Sequence, residues 1–289
     1  MALRVPTGLS PSKVEAFKSC PLAFRFSAID KLPEAPSPAT TRGTLVHRAL
    51  ELLYCRPAPE RTLEAALADL ATAADELADH PDVTGLGLDE EGMEAFVAGA
   101  ATLVERYFLL EDPTAVRPIG IELQLEAEVG GIRLRGIIDR LELDEGGGLV
   151  VTDYKTGRTP HERNERGRLG GVHFYARLCE AVFGRRPSRV QLLYLAEPVA
   201  ITAHPSDQSA RFLDKQVAAL WTAVERACRD DDFRPRPGRL CDFCGYRAFC
   251  PAMGGDLEAA RAAALALEAE EAGPSSPGAR PVPLAAVPG

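Results

Sequence analysis

Apolar positions in the first third of the chain recur at helical spacing, and the middle of the chain switches to a period of two. Ser10 precedes Pro11 at a first helical position, so SPSKVEAF predicts a short helix ending near Cys20-Pro21. After the Pro-rich turn KLPEAPSPATT, the segment RGTLVHRALELLY sets Leu45, Val46, Ala49, Leu50 and Leu53 on one helical face. Two more helical patterns lie within 61–79 and 90–110. From Ile119, the run IGIELQLEAEVGGIRLRGIIDRLELDEGGGLVVTDYKTG alternates, and its GG and GGG turns divide it into three strands of an antiparallel meander. A helix over 169–183, a strand pair around VQLLYLAE and AITAH, and an amphipathic helix over 206–230 complete an α/β reading with a mixed central sheet. An acidic, Ala-rich helix is expected over 255–272 and a disordered tail over 273–289.

Composition narrows the setting. With 289 residues, 46% of them apolar, the chain can bury one large core or two small ones. No run of about 18 uncharged apolar residues is present to span a bilayer, and the N-terminus lacks the apolar stretch of a signal peptide. The expected location is cytoplasmic, with no membrane partner. Seven cysteines in a reducing compartment then read as ligands or reactive thiols rather than disulfides. A net charge of −9 excludes coating nucleic acid by bulk attraction, so any such contact must be local. The segment TGRTPHERNERGRLGG supplies Arg158, Arg163, Arg166 and Arg168 against Glu162 and Glu165. It reads either as a phosphate-holding loop beside the active-site strand or as a solvated loop. No GxxxxGK[ST] phosphate loop occurs, so the chain carries no motor of that kind.

Candidate chemistry sits at the strand ends. In LVVTDYKTG, Asp153 and Lys155 are two residues apart and share a strand face, while Tyr154 points to the other. A hairpin at the GGG turn brings Asp139 opposite Asp153. Two carboxylates that close repel unless a cation bridges them, and hard oxygen ligands select Mg²⁺ or Mn²⁺. Such an ion would polarise a phosphate and lower the pKa of its water, with Lys155 offsetting developing charge. The bland reading makes the aspartates turn residues and Lys155 a solvated cation. Glu122, in the first strand, is either a further metal ligand or an exposed strand carboxylate.

The other cluster is GRLCDFCGYRAFCP, a C-x2-C-x5-C array of Cys241, Cys244 and Cys250, for which Cys20 in FKSCPLAFRF is the fourth candidate. A zinc site, an iron–sulfur cluster and unligated thiols are the competing readings. Phe17, Phe24 and Phe26 are expected to pack beside Cys20, and Cys55, Cys179 and Cys228 read as small apolar helix residues.

The segments GTLVHRALE, GIIDRLE and VTDYKTG resemble, in order, successive motifs of the RecB-like PD-(D/E)XK nucleases. The resemblance implies a restriction-endonuclease-like core over 1–254, with a helical insertion at about 60–110. It implies that His47, Asp139, Asp153 and the backbone carbonyl of Tyr154 hold the metal, and that Lys155, Asp153, Asp139 and Tyr175 are the catalytic set, with Tyr175 on a helix that contacts DNA. The usual glutamine four residues before that tyrosine is replaced by Gly171, with His173 the nearest polar substitute. The cysteine arrangement is similar to that of AddB-type and CRISPR-associated RecB-like nucleases, which implies a [4Fe-4S] cluster, zinc being the alternative, held by segments at about 10–28 and 238–252. The implied substrate is DNA, single-stranded or with free ends, cut exonucleolytically in repair or recombination, with a separate helicase as partner. The alternatives are a non-catalytic DNA-binding or repair scaffold and a zinc-stabilised interaction protein.

Overall fold

A computed structural model describes residues 3–159 and 162–271, without the side chains of 162–170, 270 and 271. The N-terminal part is helical, and its α-helices, all but the short Pro21–Phe24, each start at a side-chain cap. The Ser10 side chain accepts the Lys13 N–H and Pro11 sits at the first position of α1 (Pro11–Ser19). A short α2 (Pro21–Phe24) runs into a π-helical turn, Arg25–Ile29. Ser37 caps α3 (Pro38–Cys55), Thr62 caps α4 (Leu63–Leu77), His80 caps α5 (Pro81–Thr84) and Asp89 caps α6 (Glu90–Tyr107).

The expected meander follows as β1 (Pro118–Val129), β2 (Ile132–Leu143) and β3 (Leu149–Lys155). Gly130 and Gly131 take φ of 59° and 78°, the left-handed values a two-residue hairpin turn demands. Helix α7 (Glu162–Phe183) crosses to β4 (Arg189–Tyr194), which pairs parallel to β3, and β5 (Val199–Ala203) adds antiparallel to β4. The sheet order is β1-β2-β3-β4-β5, with α8 (Asp207–Asp230) and α9 (Leu257–Glu271) after it. Helix α7 begins at Glu162 rather than at 169, so Arg163, Arg166 and Arg168 fall in its first turns instead of a loop; their side chains lie outside the described residues. The tail expected at 273–289 also lies outside them.

Two cores flank the sheet. One joins β1–β4, α1, α2, α7 and α8; the other packs α3, α4 and α6 over Tyr154, Leu193 and Leu195. Alternation along β3 serves both, since Val151 enters the first core and Tyr154 the second. A fully buried Arg140 tethers the second core to the sheet. Its guanidinium pairs with Glu111 and lies 2.7 Å from Glu142, and it donates to the hydroxyls of Tyr54 at 2.6 Å and Tyr154 at 2.8 Å. A buried charge persists only when so paired and hydrogen-bonded.

Candidate metal centre

Register places three carboxylates in a row across three strands. Ile121↔Arg140 and Leu123↔Ile138 are paired, so Glu122 faces Asp139. Arg140↔Thr152 closes the β2–β3 ladder, and one further step sets Asp139 against Asp153. Side chains opposite one another in a ladder have Cβ atoms about 5 Å apart. Glu122 adopts φ of 46°, a left-handed value that costs a non-glycine residue about 1–3 kcal/mol and that breaks the β1 pairing at the row.

Helix α3 and strand β3 complete the site. His47 Nδ1 lies 3.6 Å from Asp139 Oδ2 and 4.0 Å from Glu122 Oε1, while its Nε2 lies 3.2 Å from the Tyr154 carbonyl oxygen. The Tyr154 N–H donates to Asp139 Oδ2 at 2.6 Å. Lys155 Nζ is 2.5 Å from Asp153 Oδ2. Among the described residues, His47, Glu122 and Asp139 are the one trio whose ligand atoms all lie within 4.8 Å of one another. Asp153 stands beside that trio, committed to Lys155.

The electrostatics follow from this crowding. Burial, then the negative charges of Asp139, Glu51 and Asp153, raise Glu122 to about 7. Burial and Asp153 raise Asp139 to about 6, against the opposing pull of His47. For Lys155, burial works against the ammonium, but the charge of Asp153 and its neighbours outweighs it and the pKa is raised. Burial and the three carboxylates also push the Tyr175 hydroxyl up.

The row lies in a cleft of about 1180 Å³ that Tyr175 and Gly171 also line. Tyr175 reaches it across Gly136, where a Cβ would stand 3.0 Å from the tyrosine ring. Gly171 faces open space, and His173 is not on the cleft wall. Arg158 is exposed just beyond Lys155.

Beyond Ser19, which also lines the cleft, Cys20, Cys241, Cys244 and Cys250 all line one cavity of about 410 Å³, and none of the four is in a disulfide. Phe26 lines the same cavity, and Phe17 meets Phe24 edge-on at 5.1 Å. Burial raises the Cys244 pKa, and Cys20, Glu34 and Cys250 push the same way. Cys179 and Cys228 are buried as expected, whereas Cys55, at the end of α3 beyond the packed face, is exposed.

The whole segment from 8 to 251 matches the PD-(D/E)XK nuclease superfamily. The chain belongs to that superfamily. Gene 69 protein of Mycobacterium phage D29 is 24% identical over 271 residues, covering 84% of this chain and 96% of the phage protein. A 70-residue stretch is 41% identical to an ATP-dependent helicase/nuclease subunit from Pelotomaculum thermopropionicum, covering 23% of this chain and 5% of that one. A solved structure from Eubacterium rectale, described as a candidate exonuclease, superposes with a TM-score of 0.55 at 13% identity, over 82% of this chain and 87% of its own. That likeness is one of fold. No described helix of this PD-(D/E)XK chain is long and apolar enough to cross a membrane.

Two features of the site escape a motif reading. Glu122 lies in none of the segments GTLVHRALE, GIIDRLE and VTDYKTG, so the motifs left its role open, and the β1–β2 register counted from the GG turn is what aligns it with Asp139. Arg140, next to Asp139 in GIIDRLE, is fully buried against Glu111, Glu142 and the tyrosine hydroxyls.

Proposed function

We propose that the chain is a divalent-metal-dependent DNA nuclease, a single-strand exonuclease acting from free ends in repair or recombination. The observation that carries this reading is the row Glu122, Asp139 and Asp153 with His47 at its edge and Lys155 against it. Buried like charges with raised pKa values call for a cation, and carboxylate oxygens with one imidazole suit Mg²⁺ or Mn²⁺. Glu122, His47, Asp139, Asp153 and the Tyr154 carbonyl would hold it. Bound there, the ion supplies Lewis acidity toward a phosphate and a water of lowered pKa.

The chain's own residues do the rest. Lys155, its ammonium held protonated and fixed by Asp153, offsets charge that builds on the phosphate oxygens as water attacks phosphorus and the ester P–O bond breaks. Tyr175, its hydroxyl kept protonated on the cleft wall, would donate a hydrogen bond to the DNA strand. Arg158, Arg163, Arg166 and Arg168 would contact backbone phosphates beyond the scissile one.

The four cysteines would hold a [4Fe-4S] cluster with a structural role. Support comes from their convergence on one cavity and from their spacing. The 70-residue likeness to a helicase/nuclease subunit supports a separate helicase as partner.

End-labelled linear single-stranded DNA tests the reading when incubated with Mg²⁺, Mn²⁺ or EDTA, beside a circular single strand. Metal-dependent shortening of the linear strand alone is expected. Cleavage of the circle would make it an endonuclease, and binding without cleavage in either metal would favour the scaffold alternative.

A further inference from the structure

The outer half of β2 has a free edge, because the β2–β3 ladder covers only Arg140–Leu143. Leu9 fills it by a parallel bridge to Leu134: its N–H donates to the Arg133 carbonyl at 2.9 Å and its carbonyl accepts from the Arg135 N–H at 2.8 Å. The approach depends on Gly8, where a Cβ would come 2.4 Å from the Arg133 oxygen. The start of α1 is thereby fixed beside Arg135, though the two are far apart in sequence.

This junction forms the end of the cleft remote from the metal centre. The cleft floor is the run of ladder pairs Glu126↔Arg135 and Gln124↔Ile137, followed by Glu122 facing Asp139. Four residues of strand separate Arg135 from Asp139, about 13 Å, too far for both to grip one phosphate. Lys13 lines the wall above, half-buried, and among the described residues its ammonium meets the Gly8 carbonyl at a long 3.5 Å. No carboxylate of the described residues pairs with it. Arg135 donates to Thr7 Oγ1 at 2.7 Å and meets Glu126 at 3.8 Å, and Glu126 is shared with Arg133 at 3.4 Å. Burial, and after it the positive charge of Arg135 on the same cleft, lower the Lys13 pKa.

We infer that Lys13 and Arg135 form a second phosphate subsite, which holds a backbone phosphate of the nucleic-acid strand while its scissile bond lies at the carboxylate row. The subsite rests on the nuclease reading and adds the path of the strand, along the β1–β2 floor from α1 toward Asp139. It would also supply local positive charge that a chain of net charge −9 lacks overall.

The test uses the full chain and a fluorescein-labelled single-stranded oligonucleotide, with binding read by anisotropy in EDTA across a salt series. Lys13→Gln with Arg135→Gln should weaken binding about tenfold or more, uniformly across sequences, and should flatten the log Kd against log salt slope by about 0.7, the value for one phosphate on a single strand. Glu126→Gln, which frees Arg135, should tighten binding. In Mg²⁺, bis(p-nitrophenyl) phosphate, which has no neighbouring phosphate, should be cleaved by the double variant at the wild-type rate. Unchanged affinity and slope in a folded double variant would overturn the subsite, even where the wild type cuts DNA. A wild type that binds with these salt effects but never cuts would instead sink the nuclease reading and leave the subsite standing.

Discussion

His47 Nε2 lies 3.2 Å from the carbonyl oxygen of Tyr154, which ties helix α3 to strand β3 through a backbone atom. A carbonyl can only accept, so this contact sets Nε2 as the donor and leaves Nδ1 facing Asp139. The same peptide neighbourhood holds Asp139 through the Tyr154 N–H. Tyr154 thus positions two metal-binding candidates with its main chain, while its side chain is anchored on Arg140 in the second core.

That anchoring makes Arg140 a stability residue. Arg140→Met leaves Glu111 and Glu142 as buried carboxylates without their cation. The expected loss is about 3–5 kcal/mol, read from the shift of the urea midpoint. A loss under about 1 kcal/mol would mean that the cluster is not held by this charge.

The carboxylate row makes stability depend on pH in a definite sense. Glu122 near 7 and Asp139 near 6 are raised above their unfolded values of about 4. The folded state therefore holds more protons than the unfolded one between those limits, and stability is lost as pH rises from about 4 through 7. A cation reverses the penalty. The Tm gain on adding Mg²⁺ or Mn²⁺, followed by scanning fluorimetry, should be larger at pH 8 than at pH 5 and absent in Asp139→Asn. A gain independent of pH would place the ion elsewhere.

Gly171 stands within α7 with open space where a Cβ would go. Gly171→Ala should stabilise the chain by about 0.5–1 kcal/mol, the usual cost of a helical glycine, as a higher denaturation midpoint. Destabilisation would show that something does occupy that space.

The cysteine clasp predicts colour. Protein prepared without oxygen should carry iron and broad absorbance near 400 nm. Cys244→Ser should remove the absorbance and lower Tm, because the loop from Cys20 to Cys244 would lose its closure. Stoichiometric zinc without iron would overturn the cluster assignment.

Much of the fold was legible in the sequence. The period of two between Ile119 and Lys155, cut by GG and GGG, is enough to yield the meander and to align Asp139 with Asp153, because side-chain direction in a strand is fixed by counting. Helices α3, α4, α6 and α8 were legible from apolar spacing, and α1 also from its Ser10-Pro11 start. What was hidden depends on tertiary placement. The left-handed backbone at Glu122 leaves no signature in IGIELQL, and the burial of Arg140 requires Glu111 and Tyr54, both distant in sequence, to meet it beside Tyr154 of β3. The placing of Lys13 on the same cleft as Arg135 depends on an isolated bridge at Leu9. The early start of α7 was masked by a charged, glycine-bearing stretch that lacks an apolar face.

The central claim is that Asp153 and Lys155 serve metal-dependent cleavage rather than strand-end structure. Asp153→Ala and Lys155→Ala should be compared with the wild type on labelled single-stranded DNA in Mg²⁺ and Mn²⁺, with Tm measured on the same preparations. Loss of cleavage by at least about 100-fold in both variants, with Tm within a few degrees of wild type, is the predicted result. Metal-dependent cleavage retained by folded Asp153→Ala would contradict it.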